Sequence, residues 1–191
     1  MNQSELVLAS SSDIRKKIIS KYDFPFIIAK HKFDEESFKL TANLNPKDLS
    51  LHLAKQKALS LSNDYDNLIL GCDQICLMNN EIFNKPLTKE KAIQNLTKLA
   101  GKTHELIGSY VFIKQGNTIL SETIISKMTM KNLTEKDIMD YVMLDKPLQS
   151  CGSYMFEKNG YTLFTEITGS LEAINGLPFR YLMDKLKQCI E

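Results

Sequence analysis

Along this chain the spacing of apolar residues changes from stretch to stretch, and each spacing predicts an element. Leu68-Ile69-Leu70 predicts a buried strand. Gly71, Cys72 and a lone carboxylate, Asp73, follow, and Ile75-Cys76-Leu77-Met78 resumes the strand. Asn79-Asn80 is a turn signal, Glu81-Ile82-Phe83 a short return strand, and Pro86 stops any ladder. Glu5 to Ala9 and Phe24 to Ala29 predict two earlier strands. Glu105 to Lys114 and Thr118 to Lys131 predict a long hairpin about Gln115-Gly116-Asn117, and Tyr161 to Ile167 a last strand. Ile14, Ile18, Ile19 and Tyr22 share a helical face behind Ser10-Ser11-Ser12, with Ser11 or Ser12 as cap. Asn45-Pro46 opens a long helix with Leu49, Leu53, Ala54, Ala58 and Leu61 in phase. Thr88 caps another, with Ala92, Ile93, Leu96, Leu99 and Ala100 in phase and Gly101 as its stop. Thr134 and Asp137 make a capping box before Ile138, Tyr141 and Val142. Pro147 to Gly160 is loop-rich, and Gly169-Ser170 and Asn175-Gly176 are breakers. Pro178 begins a closing helix with Leu182, Met183, Leu186 and Ile190 inward. Strands alternating with helices, then a central hairpin, predict a mixed α/β fold: a twisted central sheet flanked by helices.

At 191 residues the chain suits one domain spanning 1–191, or two lobes sharing a core. A 43% hydrophobic and 25% charged composition is that of a soluble globular protein. A net charge of +1 gives no basis for a nucleic-acid surface. Glu5 interrupts any signal-like start, and no apolar run approaches the ~18 residues of a membrane span. Cys72, Cys76, Cys151 and Cys189 lie in or beside apolar segments, as expected of reduced core thiols in a cytoplasmic protein. Cys72 and Cys76 lack the second pair or nearby histidine that a metal site needs.

Five charges sit where regular elements begin, end or bury a face. Arg15 lies in the first turn of a helix behind a serine-rich loop, which suits either an anion site or an ordinary capped helix. Glu35, within Asp34-Glu35-Glu36 after a strand, suits a divalent metal or a solvated loop. Lys57 falls in an apolar stripe and either snorkels past the core or points into a polar cleft. Asp73 interrupts a strand and is either structural or chemical. Lys85 precedes a proline at the end of the hairpin. Three cations and two acids suit a polyanion with a divalent metal: cations neutralise phosphate oxygens, carboxylates hold the metal, and one carboxylate can orient water.

Separated motifs in order extend this reading. Leu8-Ala9-Ser10-Ser11-Ser12-Asp13-Ile14-Arg15, Asp34-Glu35, Ala54-Lys55-Gln56-Lys57-Ala58, Asn84-Lys85-Pro86, Ser150-Cys151-Gly152-Ser153-Tyr154 and Asn175-Gly176-Leu177-Pro178 span nearly the whole chain. Together they resemble the Maf family of nucleoside triphosphate pyrophosphatases. Gly71-Cys72-Asp73-Gln74-Ile75-Cys76 is similar to the segment of the branch that hydrolyses 7-methyl-GTP, and Glu157 falls on that branch's acidic specificity position. Departures are Asp13 for a proline, Ile14 where this branch often carries tryptophan, Asn84 for glycine and Cys151 for alanine. The first two bear on base selectivity and phosphate affinity.

The resemblance implies a two-lobed fold of the kind shared with inosine triphosphatases, built around an active-site cleft. It implies hydrolysis between the α- and β-phosphates with Mg²⁺ or Mn²⁺. Asp73 would be the general base, and Glu35 and Asp73 would hold the metal. Ser10, Ser12, Arg15, Lys57 and Lys85 would bind phosphates, and Ile14, Gln74 and Glu157 would set specificity. A homodimer is implied too, with no membrane or nucleic-acid partner. The alternatives are a dTTP/UTP or broad-specificity pyrophosphatase, and a nucleotide-binding regulator of cell division with weak hydrolysis.

Overall fold

Leu6-Val7-Leu8-Ala9 has no polar side chain, and every one of its residues is buried, as expected of a strand covered on both faces. In the computed structural model, which describes residues 5–190, it is β1 (Leu6–Ala9) and pairs in parallel with β2 (Phe26–Ala29) and β3 (Ile69–Met78). The register sets Ala9 against Ala29 and Gly71. The seven-stranded sheet runs β2-β1-β3-β5-β6-β7, with β4 (Glu81–Ile82) antiparallel on β3. Here β5 is Thr103–Lys114, β6 Asn117–Met130 and β7 Phe164–Ile167. The helices are α1 (Asp13–Ile19), α2 (Glu35–Thr41), α3 (Pro46–Leu59), α4 (Lys89–Leu99), α5 (Glu135–Asp145), α6 (Leu171–Ile174) and α7 (Phe179–Ile190).

The chain divides into two compact units. The first takes residues up to Asp73, Gly108–Ile124 and those from Gly176; the second takes Gln74–Ile107 and Ile125–Asn175. In the first unit side chains sort by period two. Leu6, Leu8, Leu70, Cys72, Tyr110 and Phe112 pack with Ile18, Ile19 and Leu182 on one face, and Val7, Ala9, Ile69, Val111 and Ile113 pack with Ala54 and Ala58 on the other. In the second unit Cys76, Met78, Phe83, Leu96, Met128, Tyr141, Val142 and Phe164 share one core.

Local chemistry explains most boundaries. Asn79 and Asn80 both take positive φ (50° and 63°), as a tight hairpin turn of the primed kind requires. Thr134 and Asp137 form the expected capping box. Gly101 takes φ 69° after α4 and donates its N–H to Lys131 O. The four cysteines are thiols. Among the described residues no helix is long and apolar enough to cross a membrane. The side chain of Ile190, expected to point inward, lies outside the described residues.

Three segments differ from the sequence expectation. Asp34-Glu35-Glu36 opens a helix: Asp34 caps α2, its Oδ1 accepting from Ser37 N at 3.1 Å. No residue of α2 is buried, so no apolar stripe announced it. The last strand begins at Phe164 because Asn159–Leu163 coils into a 3₁₀ turn. Thr162 Oγ1 donates to Asn159 O at 2.7 Å there, a local bond that displaces the ladder. Past Gly169, Ser170 caps the short helix α6 by accepting from Ala173 N at 3.1 Å.

Candidate active site

Gly71 sets the geometry of the first unit's polar cluster. A Cβ at this position would run into the Ala54 carbonyl and lie 3.0 Å from Ala58 Cβ, so only glycine lets α3 lie this close to β3. Two residues on, Asp73 shares the face of Gly71. Lys57, between those two alanines, therefore arrives at Asp73, with Nζ 2.8 Å from Oδ1. Both side chains are buried, at 9% and 8% exposure. Neither charge is tolerable there alone, and each is the other's counter-ion. Lys57 thus neither snorkels nor stands free.

The same ammonium lies 3.1 Å from Glu35 Oε2. Glu35 is the first residue of α2, where a negative charge also suits the helix N-terminus. Its Oε1 is 3.2 Å from His31 Nε2, and its Oε2 is 3.5 Å from Lys39 Nζ. Burial pushes the Glu35 carboxyl up, but the His31 hydrogen bond and the charges of Lys57 and Lys39 outweigh it, and the group stays well below the usual carboxylate range. The sequence missed His31, although its i,i+4 spacing from Glu35 was there to be read.

Arg15 is not a solvated basic side chain. Nε donates to Gly176 O at 2.9 Å, and Nη1 to Cys72 O at 3.1 Å and Ser10 Oγ at 3.3 Å. It therefore fastens the start of α1 to the residue before Asp73. Ser10 is buried, and its Oγ also accepts from Ser12 N at 3.2 Å. Ser12 occupies the N-cap of α1 without a side-chain cap bond. Ile14 is half-buried against the apolar cluster of β1 and α7. Burial of Cys72 pushes its thiol up to about 11, so it is a packed hydrophobe and no nucleophile. The structure brings together Ser10, Ser12 and Arg15, and separately Glu35, Lys57 and Asp73.

The remaining candidates belong to the second unit. Gln74 Nε2 donates to the carbonyls of Ala173 and Ile174 at 3.0 and 3.2 Å. The amide is thereby oriented, and its carbonyl oxygen is the end left to accept. Lys85 is exposed beyond β4. Glu157 is exposed in a segment held at both ends. Met155 N donates to the Tyr141 hydroxyl at 2.8 Å, and Asn159 donates to both oxygens of Asp145, from N at 3.0 Å and Nδ2 at 2.6 Å. Tyr141 and Asp145 were not among the sequence candidates, because both read as ordinary helix residues.

Glu35 and Asp73 form a two-carboxylate donor set with Lys57 between them. No group of three or more His, Cys, Asp or Glu that could hold an ion occurs among the described residues. Two carboxylates are too few for a closed cage, and the imidazole beside them, His31, turns its Nε2 to Glu35. The set fits a hard cation such as Mg²⁺ or Mn²⁺, which is commonly held by one or two carboxylates, with water and substrate phosphates completing its shell.

The sequence profile described as Maf-like protein matches residues 5–189. A nucleoside triphosphate pyrophosphatase of Legionella pneumophila (strain Paris) is 35% identical over 188 residues, covering 97% of this chain and 94% of that protein. A dTTP/UTP pyrophosphatase of Lachnoclostridium phytofermentans is 32% identical over 190 residues, with coverages of 96% and 94%. A 7-methyl-GTP pyrophosphatase of Bartonella quintana is 35% identical over 191 residues, with coverages of 98% and 96%. The solved structure of a HAM1 protein from Coxiella burnetii superposes with a TM-score of 0.51 at 13% identity, covering 97% of this chain and 99% of that one, and shares the fold.

Proposed function

The chain belongs to the Maf family and is a nucleoside triphosphate pyrophosphatase, and from that premise we propose that its substrate is 7-methyl-GTP. Water attacks the α-phosphorus, pyrophosphate leaves, and the nucleoside monophosphate and a proton complete the balance. Asp73 takes the proton of the attacking water as general base. Lys57, beside it, neutralises charge on the phosphates, and Ser10, Ser12, Arg15 and Lys85 bind the remaining oxygens. Arg15 comes to this task already ordered by Gly176 and Cys72, so little side-chain freedom is lost on binding. Glu35 and Asp73 hold Mg²⁺ or Mn²⁺, which when bound withdraws charge from the phosphate oxygens.

The observation that carries the base assignment is the orientation of Gln74. Its amide nitrogen is committed to two backbone carbonyls, so the side chain offers an acceptor. Glu157 is a second acceptor. Guanine presents N1–H and N2–H donors, and methylation at N7 adds a positive charge that a carboxylate favours. A second reading, a dTTP/UTP pyrophosphatase, draws on Ile14. Its half-buried aliphatic side chain offers no aromatic face for a methylated purine to stack on.

The test is pyrophosphate release from 7-methyl-GTP, GTP, dTTP, UTP and CTP, with and without Mg²⁺ or Mn²⁺. Metal-dependent preference for 7-methyl-GTP is expected. Preference for dTTP and UTP would keep the reaction and overturn the roles of Gln74 and Glu157. Nucleotide binding without release would favour a regulator instead.

A further inference from the structure

We propose that His31 is a positioning residue that fixes the Glu35 carboxylate and thereby sets how tightly the divalent cation is held. The inference rests on the reading of Glu35 as a metal ligand.

The two oxygens of Glu35 are sorted. Oε1 faces His31 Nε2 at 3.2 Å, and Oε2 faces Lys57 Nζ at 3.1 Å and Lys39 Nζ at 3.5 Å. A carboxylate with one free oxygen can rotate; one gripped from both sides cannot. The bond to Oε1 assigns the proton of a neutral imidazole to Nε2. Nδ1 of His31 is buried and has no hydrogen-bond partner among the described residues, so the ring's polar contact there is with Glu35.

The helix carrying Glu35 gives the contact its weight. No residue of α2 is fully buried, and its one aromatic, Phe38, is half-buried. Phe38 stacks on His52 of α3, with ring centroids 4.3 Å apart, and fixes the helix one turn from Glu35. In the first turn, the Asp34 cap fixes the backbone through Ser37, and the Glu35 side chain is held through its carboxylate. Without His31 the side chain could swing toward solvent or toward the amides at the helix start. Outer-shell partners of this kind typically change metal affinity by about 10–100-fold.

The test uses the full chain with His31→Phe, which keeps a ring without the donor, and His31→Gln, which restores an N–H at similar reach. His31→Asn is polar but too short, and Glu35→Gln is the control. Mn²⁺ affinity is read from the electron paramagnetic resonance of free Mn²⁺, in the presence of an α,β-methylene nucleoside triphosphate. The Mg²⁺ dependence of pyrophosphate release and thermal unfolding are followed in parallel. Expected is a loss of about 10–100-fold in Mn²⁺ affinity for His31→Phe and His31→Asn. Raising Mg²⁺ should make good the loss of turnover, melting temperatures should match the parent, and His31→Gln should recover most of the affinity. If Glu35→Gln weakens Mn²⁺ binding while His31→Phe does not, or if His31→Gln is as weak as His31→Phe, the positioning role is overturned. If Glu35→Gln binds Mn²⁺ like the parent, the metal-ligand reading itself falls and the inference falls with it.

Discussion

The two units bury polar groups in different ways. In the first, the buried polar centre is ionic: Lys57 lies against Asp73 and Glu35, and Arg15 is tied to backbone carbonyls. In the second, buried polar side chains mostly pair as neutral groups. Asn95 donates to Ser153 at 2.9 Å, and His104 meets the Tyr154 hydroxyl at 2.8 Å. Asp145, the buried acid of this unit, accepts from the N–H groups of Asn159 and has no cation beside it among the described ion pairs. Buried ion pairs return little net stability, since desolvation absorbs most of their attraction. Their presence in one unit is what the proposed catalytic roles of Asp73 and Lys57 would account for. The neutral pairs of the other unit hold a shape, including the segment that carries Glu157.

The sharpest way to break this contrast is to remove the shared ammonium. Lys57→Met strips the buried Asp73 and the half-buried Glu35 of their shared counter-ion, and a loss of about 3 kcal/mol or more in unfolding free energy is expected, read by denaturant titration. A change under about 1 kcal/mol would mean that water already screens the pair. Asp145→Ala should have a smaller effect on stability, about 1–3 kcal/mol, because it removes two hydrogen bonds to a carboxylate. Freed at one end, the 155–159 segment should also lose base discrimination, seen as similar kcat/KM values across the nucleotide panel. Discrimination that survives this substitution would detach Glu157 from base reading.

The smallest effect at neutral pH is expected at His104. Burial lowers its pKa from 6.5 to about 4, so the folded chain keeps it neutral while the unfolded chain takes up a proton below 6.5. This contribution to stability is complete above pH 6.5 and is lost as pH falls toward 4. Glu35 behaves differently. Its depressed carboxyl keeps its contribution down to its ordinary value of 4.5 and loses it only below. His104→Gln, which keeps a partner for Tyr154, should therefore flatten the stability profile between pH 6.5 and 4.5 with little change at pH 7. An unchanged slope would place the titration elsewhere.

What could be read from the sequence follows from the range of the interactions concerned. The Thr134–Asp137 box and the Asn79-Asn80 turn depend on neighbours a few residues away, and the Gly101 stop on its own positive φ; all three stand as expected. Strand β3 was legible from its apolar run, and Asp73 from its interruption. That Lys57 meets Asp73 was not legible, because the contact depends on α3 closing on Gly71, fixed by two alanines in another element. Helix α2 escaped because nothing in it is buried, and the 3₁₀ turn at Asn159–Leu163 because Asp145 claims Asn159 from a distant helix.

The central claim is that Asp73 is the base on which turnover depends, with the fold around it held by other contacts. It is tested most directly by Asp73→Asn, whose side chain keeps an acceptor for Lys57 and loses the ability to take a proton. Pyrophosphate release is measured in single turnovers at saturating metal and nucleotide, with nucleotide binding measured alongside. Expected is a fall in rate of about 10³-fold or more with binding retained. A rate within tenfold of the parent, in a variant that binds nucleotide normally, would contradict it.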